Sequence, residues 1–289
     1  MEQVTYISDN GLFITFGDMP PYLLESIDAM GVGSIEDEGM TVGGGYATYL
    51  SDYSRRTVPM EVSVWGGERN GWYDLANLQT LRQRMAAVLD LRYQGTLVYE
   101  NDTGAYQLRG RFLEIPAGSG LLGSGERFSL SFQSTESPKW RERDERVSQM
   151  GAVRGGISFP LVIDPKFSFG TYTTEFTIIN DTYDALPVRV VVMGTAESVT
   201  VANETSGQFM KFNRPISDGQ QLEIDTGKGT AVVRSALTGA FVENASHYLT
   251  LDSDYWYLQR GRNVIHLDGG GQTSRPLGYL FWSKQFGGV

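Results

Sequence analysis

The sequence predicts a mainly β protein of two domains with one α-helix, and three observations lead to this fold class. Several segments alternate apolar and polar residues with a period of two, which is typical of half-buried strands. One segment has the apolar spacing of an amphipathic helix. The chain has 289 residues, and this length favours two hydrophobic cores over one.

The first domain is predicted over residues 1–136, as a β-barrel or β-sandwich that also carries the helix. Alternation of apolar and polar residues predicts three of its strands, at 58–64, 106–115 and 128–132. The apolar positions that define the first and last of these strands are Val58, Met60, Val62 and Val64, and then Phe128, Leu130 and Phe132.

The helix of the first domain is predicted to begin after Asp74, whose carboxylate can accept a hydrogen bond from a backbone N–H of the first turn. The apolar residues at helical spacing are Leu75, Leu78, Leu81, Met85, Val88 and Leu89. We expect Gly95 to end this helix, because glycine is common just beyond the last helical residue.

Residues 137–156 are predicted to be an exposed connector, because the segment is polar, nearly balanced in charge and ends in two glycines. The second domain is predicted over 157–289 as an antiparallel β-sandwich without helices. Short strands separated by turn residues indicate this architecture. The predicted strands are 173–179, 186–194, 198–203, 208–213, 220–225, 230–234, 255–258, 262–267 and 277–283.

The composition makes several kinds of function improbable. The chain has no cysteine, so disulfides and thiolate metal sites are excluded. It has two histidines, His247 and His266, whereas a zinc enzyme needs about three protein ligands. The net charge of −10 disfavours sequence-specific binding of nucleic acid. No segment predicts a membrane span. We therefore predict no enzyme, and no catalytic, cofactor-binding or metal-binding residue.

Three short motifs are interpreted as structural. Gly118–Gly123 matches the GxGxxG letters of a dinucleotide loop, but a strand is predicted after it where that chemistry requires a helix. We interpret it as a loop between strands. Residues Asp225–Thr230 are similar to a phosphate-binding loop but lack its required glycine and hydroxyl positions, so a hairpin turn is predicted. The acidic run Glu36–Glu38 is interpreted as a solvated loop tip and not as a calcium site.

The segment Tyr255-Trp256-Tyr257 is the strongest candidate for ligand binding. In a strand, the two tyrosines would face one way and Trp256 the other. An exposed tyrosine pair could stack on sugar rings. We favour the alternative that Trp256 fills the core of the sandwich while the tyrosines cover its edge or an interface.

These segments, in this order, resemble the distal tail proteins of siphophages. The N-terminal domain of that family is matched by the strand RRTVPMEVSV at 55–64, the helix after Asp74, the strand YQLRGRFL at 106–113 and the ending SPKW at 137–140. The C-terminal galectin-like or carbohydrate-module-like sandwich of the family is matched by GQQLEIDT at 219–226 and WYLQRGRNVI at 256–265. Residues 1–50 match only loosely.

The resemblance implies a structural protein of a virion tail tip, made and assembled in the host cytoplasm. Its first domain, which would be tail-tube-like, is expected to form a homohexameric ring, and its second domain to project outward. The implied partners are the tail-tube protein and a tail-tip hub or tail-associated protein, with a tape-measure or receptor-binding protein as further candidates. Every basic residue before Lys139 is an arginine, which indicates either interfaces, where arginine is enriched, or a biased composition of the genome.

Two other functions remain open from the sequence. The first is a carbohydrate-binding protein that recognises host surface glycans through the second domain, with Tyr255 and Tyr257 as the ligand platform. The second is a carboxylate glycosidase, which needs two acids held ~5–10 Å apart across a cleft. Sequence spacing cannot show such a pair, because strands bring distant residues together.

Overall fold

The chain forms two units in the computed structural model, which describes residues 2–31, 35–42, 45–53, 55–114, 118–122, 125–154, 171–173, 175–271 and 276–289. The first unit comprises Met1–Asp144 together with Gln285–Val289, and the second comprises Glu145–Lys284. The predicted mainly β fold class is confirmed. Among the described residues, no helix has the length and apolar character needed to cross a bilayer.

The first unit contains a ten-stranded sheet and the helix α1, with elements numbered along the whole chain. They are β1 (Gln3–Ser8), β2 (Phe13–Phe16), β3 (Tyr22–Ile27), β4 (Ile35–Val42), β5 (Gly45–Tyr53), β6 (Thr57–Trp65), β7 (Glu68–Arg69), β8 (Trp72–Tyr73), α1 (Leu75–Val88), β9 (Gly95–Asn101), β10 (Gly104–Phe112), β11 (Ser119–Leu122), β12 (Gly125–Ser134), β13 (Trp140–Glu142) and β26 (Gln285–Phe286).

The main path of this sheet runs β2-β1-β9-β10-β12-β6-β3. Gly17, directly after β2, forms a bridge with Leu23 of β3, so the first and last strands of the path are joined as in a barrel. The alternation predicted for β6 and β12 is confirmed, because its apolar side chains are all buried in one core. The β4–β5 and β7–β8 hairpins lie outside the ten-stranded sheet.

Helix α1 begins as predicted: the Asp74 carboxylate accepts a hydrogen bond from the backbone N–H of Asn77 at 2.9 Å. The expectation for Gly95 is wrong, since the helix ends at Val88 and Gly95 begins β9. A glycine is needed there because β1 lies very close to it. A Cβ on Gly95 would come within 2.5 Å of the Ile7 carbonyl oxygen and 2.6 Å of the Tyr6 ring.

The segment predicted as an exposed connector contains three strands in its described part: β13, β14 (Arg146–Met150) and β15 (Ala152–Arg154). The indole of Trp140 explains why β13 is held in the first unit. This side chain is fully buried, and its Nε1 donates a hydrogen bond to the Ala29 carbonyl at 2.8 Å. The local polarity of the segment therefore does not determine its structure.

The last residues of the chain return to the first unit, although the sequence assigned 157–289 to the second domain. Strand β26 pairs with β13, with Phe286 opposite Trp140. The Phe286 ring also meets the Tyr106 ring edge-on, at 5.4 Å between centroids. The second unit is thus an insertion between β13 and β26, and it begins at Glu145 and not at residue 157.

We expect Phe286→Ala to destabilise the first unit by about 2 kcal/mol, because the partly buried ring packs on its core. Hydrogen exchange should show faster exchange in β10 and β13 and unchanged exchange in the second unit. The matched control is Phe241→Ala, since Phe241 is an exposed phenylalanine in the second unit. Equal effects of the two substitutions on the first unit would contradict the assignment of the C-terminal residues.

The described part of the second unit contains two sheets packed as a sandwich and a separate two-stranded pair. Its elements are β14, β15, β16 (Thr171–Thr173), β17 (Glu175–Asn180), β18 (Arg189–Met193), β19 (Val199–Asn203), β20 (Gln208–Phe212), β21 (Gln220–Asp225), β22 (Thr230–Ser235), β23 (Phe241–Asn244), a 3₁₀ turn at Ser246–Tyr248, β24 (Gly261–Asp268) and β25 (Leu277–Trp282). One sheet has the order β14-β25-β18-β21-β22-β23 and the other has the order β17-β24-β19-β20. Their inward side chains form one core.

Eight of the nine strands predicted for this unit are present, with ends shifted by a few residues. The exception is 255–258, where Leu258 makes only an isolated bridge with Leu186. Strand β23 was not predicted, and its exposed Phe241 and Val242 explain why, because the alternation of buried and exposed residues is absent there.

Candidate assembly surfaces and side-chain clusters

The three motifs interpreted as structural do not have the surroundings of ligand sites. Residues Ser119–Leu122, within the GxGxxG match, form β11 and pair with β12, so this segment is a strand and not the predicted loop, and no helix follows it. Residues Asp225–Thr230 connect β21 to β22 as the predicted hairpin turn. Asp225 caps this turn by accepting a hydrogen bond from the Lys228 backbone N–H at 3.1 Å.

The acidic run Glu36–Glu38 was interpreted as a loop tip, and this is wrong. These residues lie in β4, where Glu36 is the cross-strand partner of Asp52 and Glu38 that of Leu50 in β5. Ladder hydrogen bonds to β5 satisfy the backbone here, and the register shift at Gly39 accommodates the glycine within the hairpin. Residues 43 and 44, between β4 and β5, lie outside the described residues.

Trp256 is a core residue, as predicted. Its side chain is fully buried, and its Nε1 donates a hydrogen bond to the Val201 carbonyl at 3.0 Å. Tyr255 is partly buried against the same core. Tyr257 uses its hydroxyl to donate to the Thr226 carbonyl at 3.2 Å. The two tyrosines are therefore not a freely exposed stacking pair. Glycan binding by this unit stays a prediction, which a glycan array can test.

A buried amide network fixes the backbone that follows Trp256. Asn203 and Asn263 are both fully buried, and the Asn203 amide donates to the Asn263 side-chain oxygen at 3.0 Å. Asn263 in turn donates to the Gln259 carbonyl at 2.7 Å and accepts from the Gln259 backbone N–H at 2.9 Å. These bonds satisfy buried polar groups, which explains why the segment keeps a fixed shape without a strand ladder.

The two histidines have different surroundings. His247 lies in the 3₁₀ turn, where its ring contacts the Tyr248 ring at 3.9 Å between centroids. His266 lies in β24 directly opposite Glu175 of β17. Ligand-type atoms of His266, Glu175 and Glu204 all lie within 4.8 Å of one another. Sequence reasoning missed this cluster because its members are far apart along the chain.

The first unit exposes two groups of apolar side chains that could bind another protein surface. The first group, here called the β1–β2 apolar surface, consists of Ile7, Leu12 and Phe13, which are 45%, 45% and 58% exposed. Ile7 and Phe13 are cross-strand partners on the outer face of the β1–β2 pair.

The second group is the β7–β8 hairpin with the residues that follow it. Its turn has Asn70 at φ 55° and Gly71 at φ 76°, the left-handed conformations that a two-residue hairpin turn requires. This turn presents Trp72, Tyr73 and Leu75 to solvent, and the Trp72 side chain is 80% exposed. An exposed tryptophan beside a tyrosine is typical of an interface, because these residue types dominate binding energy.

Several arginines of the first unit form ion pairs with carboxylates of the same unit. Arg109 binds Asp9 through two hydrogen bonds of 2.8 and 2.5 Å, which hold the pKa of the Asp9 carboxyl below its ordinary value. Arg92 binds Asp90 in the same way and lowers the pKa of that carboxyl to about 2. These pairs give the arginines a structural role, so the arginine-only base content is not by itself a signal of interfaces.

Comparison with known proteins gives a family match within the second unit and structural matches over the whole chain. Residues 169–279 match the family model described as siphovirus-type tail component, C-terminal domain. No curated protein matches. The domain match covers the part of the chain in which the sequence resemblance to a galectin-like sandwich was found.

Solved structures match over essentially the full length. The chain is similar to the SPP1 Dit (gp 19.1) protein, a hub of the adsorption apparatus in phages that infect Gram-positive bacteria, with a TM-score of 0.65, 13% identity, and coverage of 98% of this chain and 99% of that one. Chains of the phage P2 baseplate in its activated conformation, with Ca and with Sr, match with a TM-score of 0.52 at 8% and 9% identity and full coverage of both chains. The predicted resemblance to siphophage distal tail proteins is confirmed.

Proposed function

We propose that this chain, which carries the C-terminal domain of a siphovirus-type tail component, is a structural hub protein that forms a hexameric ring at the tip of a phage tail. The match of residues 169–279 to that tail-component domain is the observation that carries the proposal. The fold shared over the whole length with a hub protein of a phage adsorption apparatus supports it. In this function the chain joins the tail tube to the tail tip or baseplate through binding and not through catalysis.

Ring formation requires two different surfaces on each protomer, because a head-to-tail contact closes a ring only when one patch meets another patch. The β1–β2 apolar surface and the β7–β8 hairpin are two such patches, and both lie on the first unit. Burial of exposed apolar side chains stabilises association. We infer that these patches contribute to contacts between neighbouring first units.

The partners of the ring follow from the same proposal. The tail-tube protein binds one side of the ring, and a tail-tip hub or tail-associated protein binds the other. A tape-measure or receptor-binding protein is a further candidate partner. Strand β23 is an end strand of its sheet in the second unit, and such an edge can pair with a strand of a partner.

We expect light scattering on the purified chain at tens of micromolar to give a mass near six times the 32.0 kDa of one chain. Phe13→Ser and Trp72→Ser should each shift the distribution towards smaller species. The loss of one central apolar contact costs about 2 kcal/mol, which corresponds to a roughly 30-fold weaker contact.

The matched control is Leu237→Ser, because Leu237 is 92% exposed but lies in the second unit. This variant should assemble like the wild type. A wild-type chain that stays monomeric would oppose the proposed ring. If all three variants form rings equally well, the proposal of a ring stands, but the β1–β2 apolar surface and the β7–β8 hairpin are not part of its interface.

A further inference from the structure

We propose that Glu175, Glu204 and His266 bind one transition-metal ion of the Zn²⁺ type, which ties three strands of the second unit together. This inference is independent of the tail-hub function and adds a site that the sequence did not predict. The three residues are named here the Glu–Glu–His cluster. They are contributed by β17, by the residue directly after β19, and by β24.

The strand register brings the cluster together on one face. Glu175 is the cross-strand partner of His266, and Ala202 is the partner of His266 on the other side. The backbone N–H of Glu204 donates to the Val264 carbonyl at 2.9 Å, which holds Glu204 beside β24. Ile265 and Leu267 on either side of His266 are fully buried. Because side chains alternate along a strand, His266 faces outward with the two glutamates.

The distances suit a small coordination site. The ligand-type atoms of the three side chains already lie within 4.8 Å of one another. Zinc bonds of 2.0–2.2 Å in tetrahedral geometry require ligand separations of about 3.4 Å. Both glutamates are exposed, so rotation of their side chains can close the remaining gap without moving the sheet. A fourth position stays open to water.

No arginine or lysine with a described side chain balances the negative charges of the cluster. Among residues with described side chains, neither Glu175 nor Glu204 forms an ion pair with an arginine or a lysine. Elsewhere in the same unit, carboxylates in close contact with their neighbours do have such partners, for example Glu223 with Arg234 at 2.6 Å and Glu145 with Arg189 at 2.6 Å. A bound cation would neutralise two adjacent carboxylates in place of an arginine.

The imidazole of His266 gives independent support for a metal site. The Nδ1 atom of His266 is buried and has no hydrogen-bond partner among the described residues. Buried polar atoms are nearly always paired, so the unpaired Nδ1 of a histidine whose ring lies close to two carboxylates calls for an explanation. Coordination through this nitrogen would satisfy it.

The donor set selects the class of metal. Neutral imidazole with carboxylates suits zinc and related first-row ions. Calcium takes six to eight oxygen ligands, and this cluster offers too few. Since β17 is an end strand of its sheet, a metal bound across β17, β24 and β19 would hold this end strand in place.

The test uses the full chain, freed of metal with a chelator, and Zn²⁺ alone as the probe in isothermal titration calorimetry at slightly alkaline pH. We expect one ion per chain. His266→Gln should abolish binding, and Glu175→Gln and Glu204→Gln should each weaken it at least tenfold, since even the loss of a supporting hydrogen bond to a ligand costs ~10–100-fold. The matched control, His247→Gln, should bind like the wild type.

A second measurement separates metal binding from general effects on folding. Zn²⁺ should raise the thermal unfolding midpoint of the second unit in the wild type and in His247→Gln, but not in His266→Gln. In the presence of chelator, Glu175→Gln, Glu204→Gln and His247→Gln should melt like the wild type, because these three side chains are exposed. The proposal is overturned if the wild type binds no Zn²⁺, if binding persists in His266→Gln, or if Ca²⁺ binds at the cluster in preference to Zn²⁺.

Discussion

Trp256→Ala is expected to destabilise the second unit by ~3–5 kcal/mol, enough to unfold much of it, while the first unit stays folded. The indole is fully buried in the core of the sandwich. Its removal leaves a large cavity and also deprives the Val201 carbonyl of its hydrogen-bond donor. Among the fully buried side chains described in this unit, the Trp256 indole is the largest.

The measurement for Trp256→Ala is hydrogen exchange on the full chain during denaturant titration, because it reports on each unit separately. Protection of β19 and β24 should be lost at a lower denaturant concentration than in the wild type. Tyr255→Ala and Tyr257→Ala should be milder, since both side chains are only partly buried or exposed. If Trp256→Ala unfolds like the wild type but loses binding to a glycan, the carbohydrate-binding alternative replaces the structural interpretation.

Trp140→Ala should have an effect of the same size, ~3–5 kcal/mol, on the first unit. Trp140 is fully buried, packs against Tyr99 at 6.1 Å between ring centroids, and donates to the Ala29 carbonyl. It also lies in β13, which holds β26. Loss of the Trp140 indole should therefore remove its contacts in the core and also release the C-terminal residues from β13.

Two further variants test this account of Trp140. Trp140→Phe keeps most of the apolar volume but loses the indole N–H, so we expect an intermediate cost of about 1–3 kcal/mol. Trp72→Ala removes an indole that is 80% exposed and should change the free energy of unfolding by no more than about 0.5 kcal/mol. A similar loss of stability in Trp72→Ala and Trp140→Ala would show that burial does not explain the effect.

The sequence predicted those parts of the fold that depend on local patterns. Apolar residues recur at every second position over 58–64 in β6 and over 128–132 in β12, and Asp74 marks the start of α1, so each element could be assigned from a few neighbouring residues. Trp256 was correctly placed in the core because strand alternation sets it on the face opposite the two tyrosines, and burial of an indole removes a large apolar area from water.

The features that the sequence did not predict depend on pairing between distant residues. Strand β26 has two residues, and only its ladder with β13 makes it a strand. The connector residues around Trp140 are polar, so their position in the first unit comes from one indole and its partners. Glu175 and His266 become neighbours only through the register of β17 with β24.

The exposed apolar surfaces also depend on pairing that the sequence does not show. Ile7 and Phe13 alternate with buried neighbours on β1 and β2, yet their meeting on one outer face follows from the hairpin register. The Asn70-Gly71 pair is a local turn signal that could have indicated the β7–β8 hairpin. The exposure of Trp72 could not be predicted, because tryptophan in a short strand is more often buried.

Electron microscopy of the purified full chain tests the central claim, which is that six copies form a closed ring. Class averages should show closed rings with sixfold symmetry, and these rings should become rare in Phe13→Ser and Trp72→Ser. A chain that appears only as single particles of 32.0 kDa, or as open filaments in place of closed rings, would contradict the account.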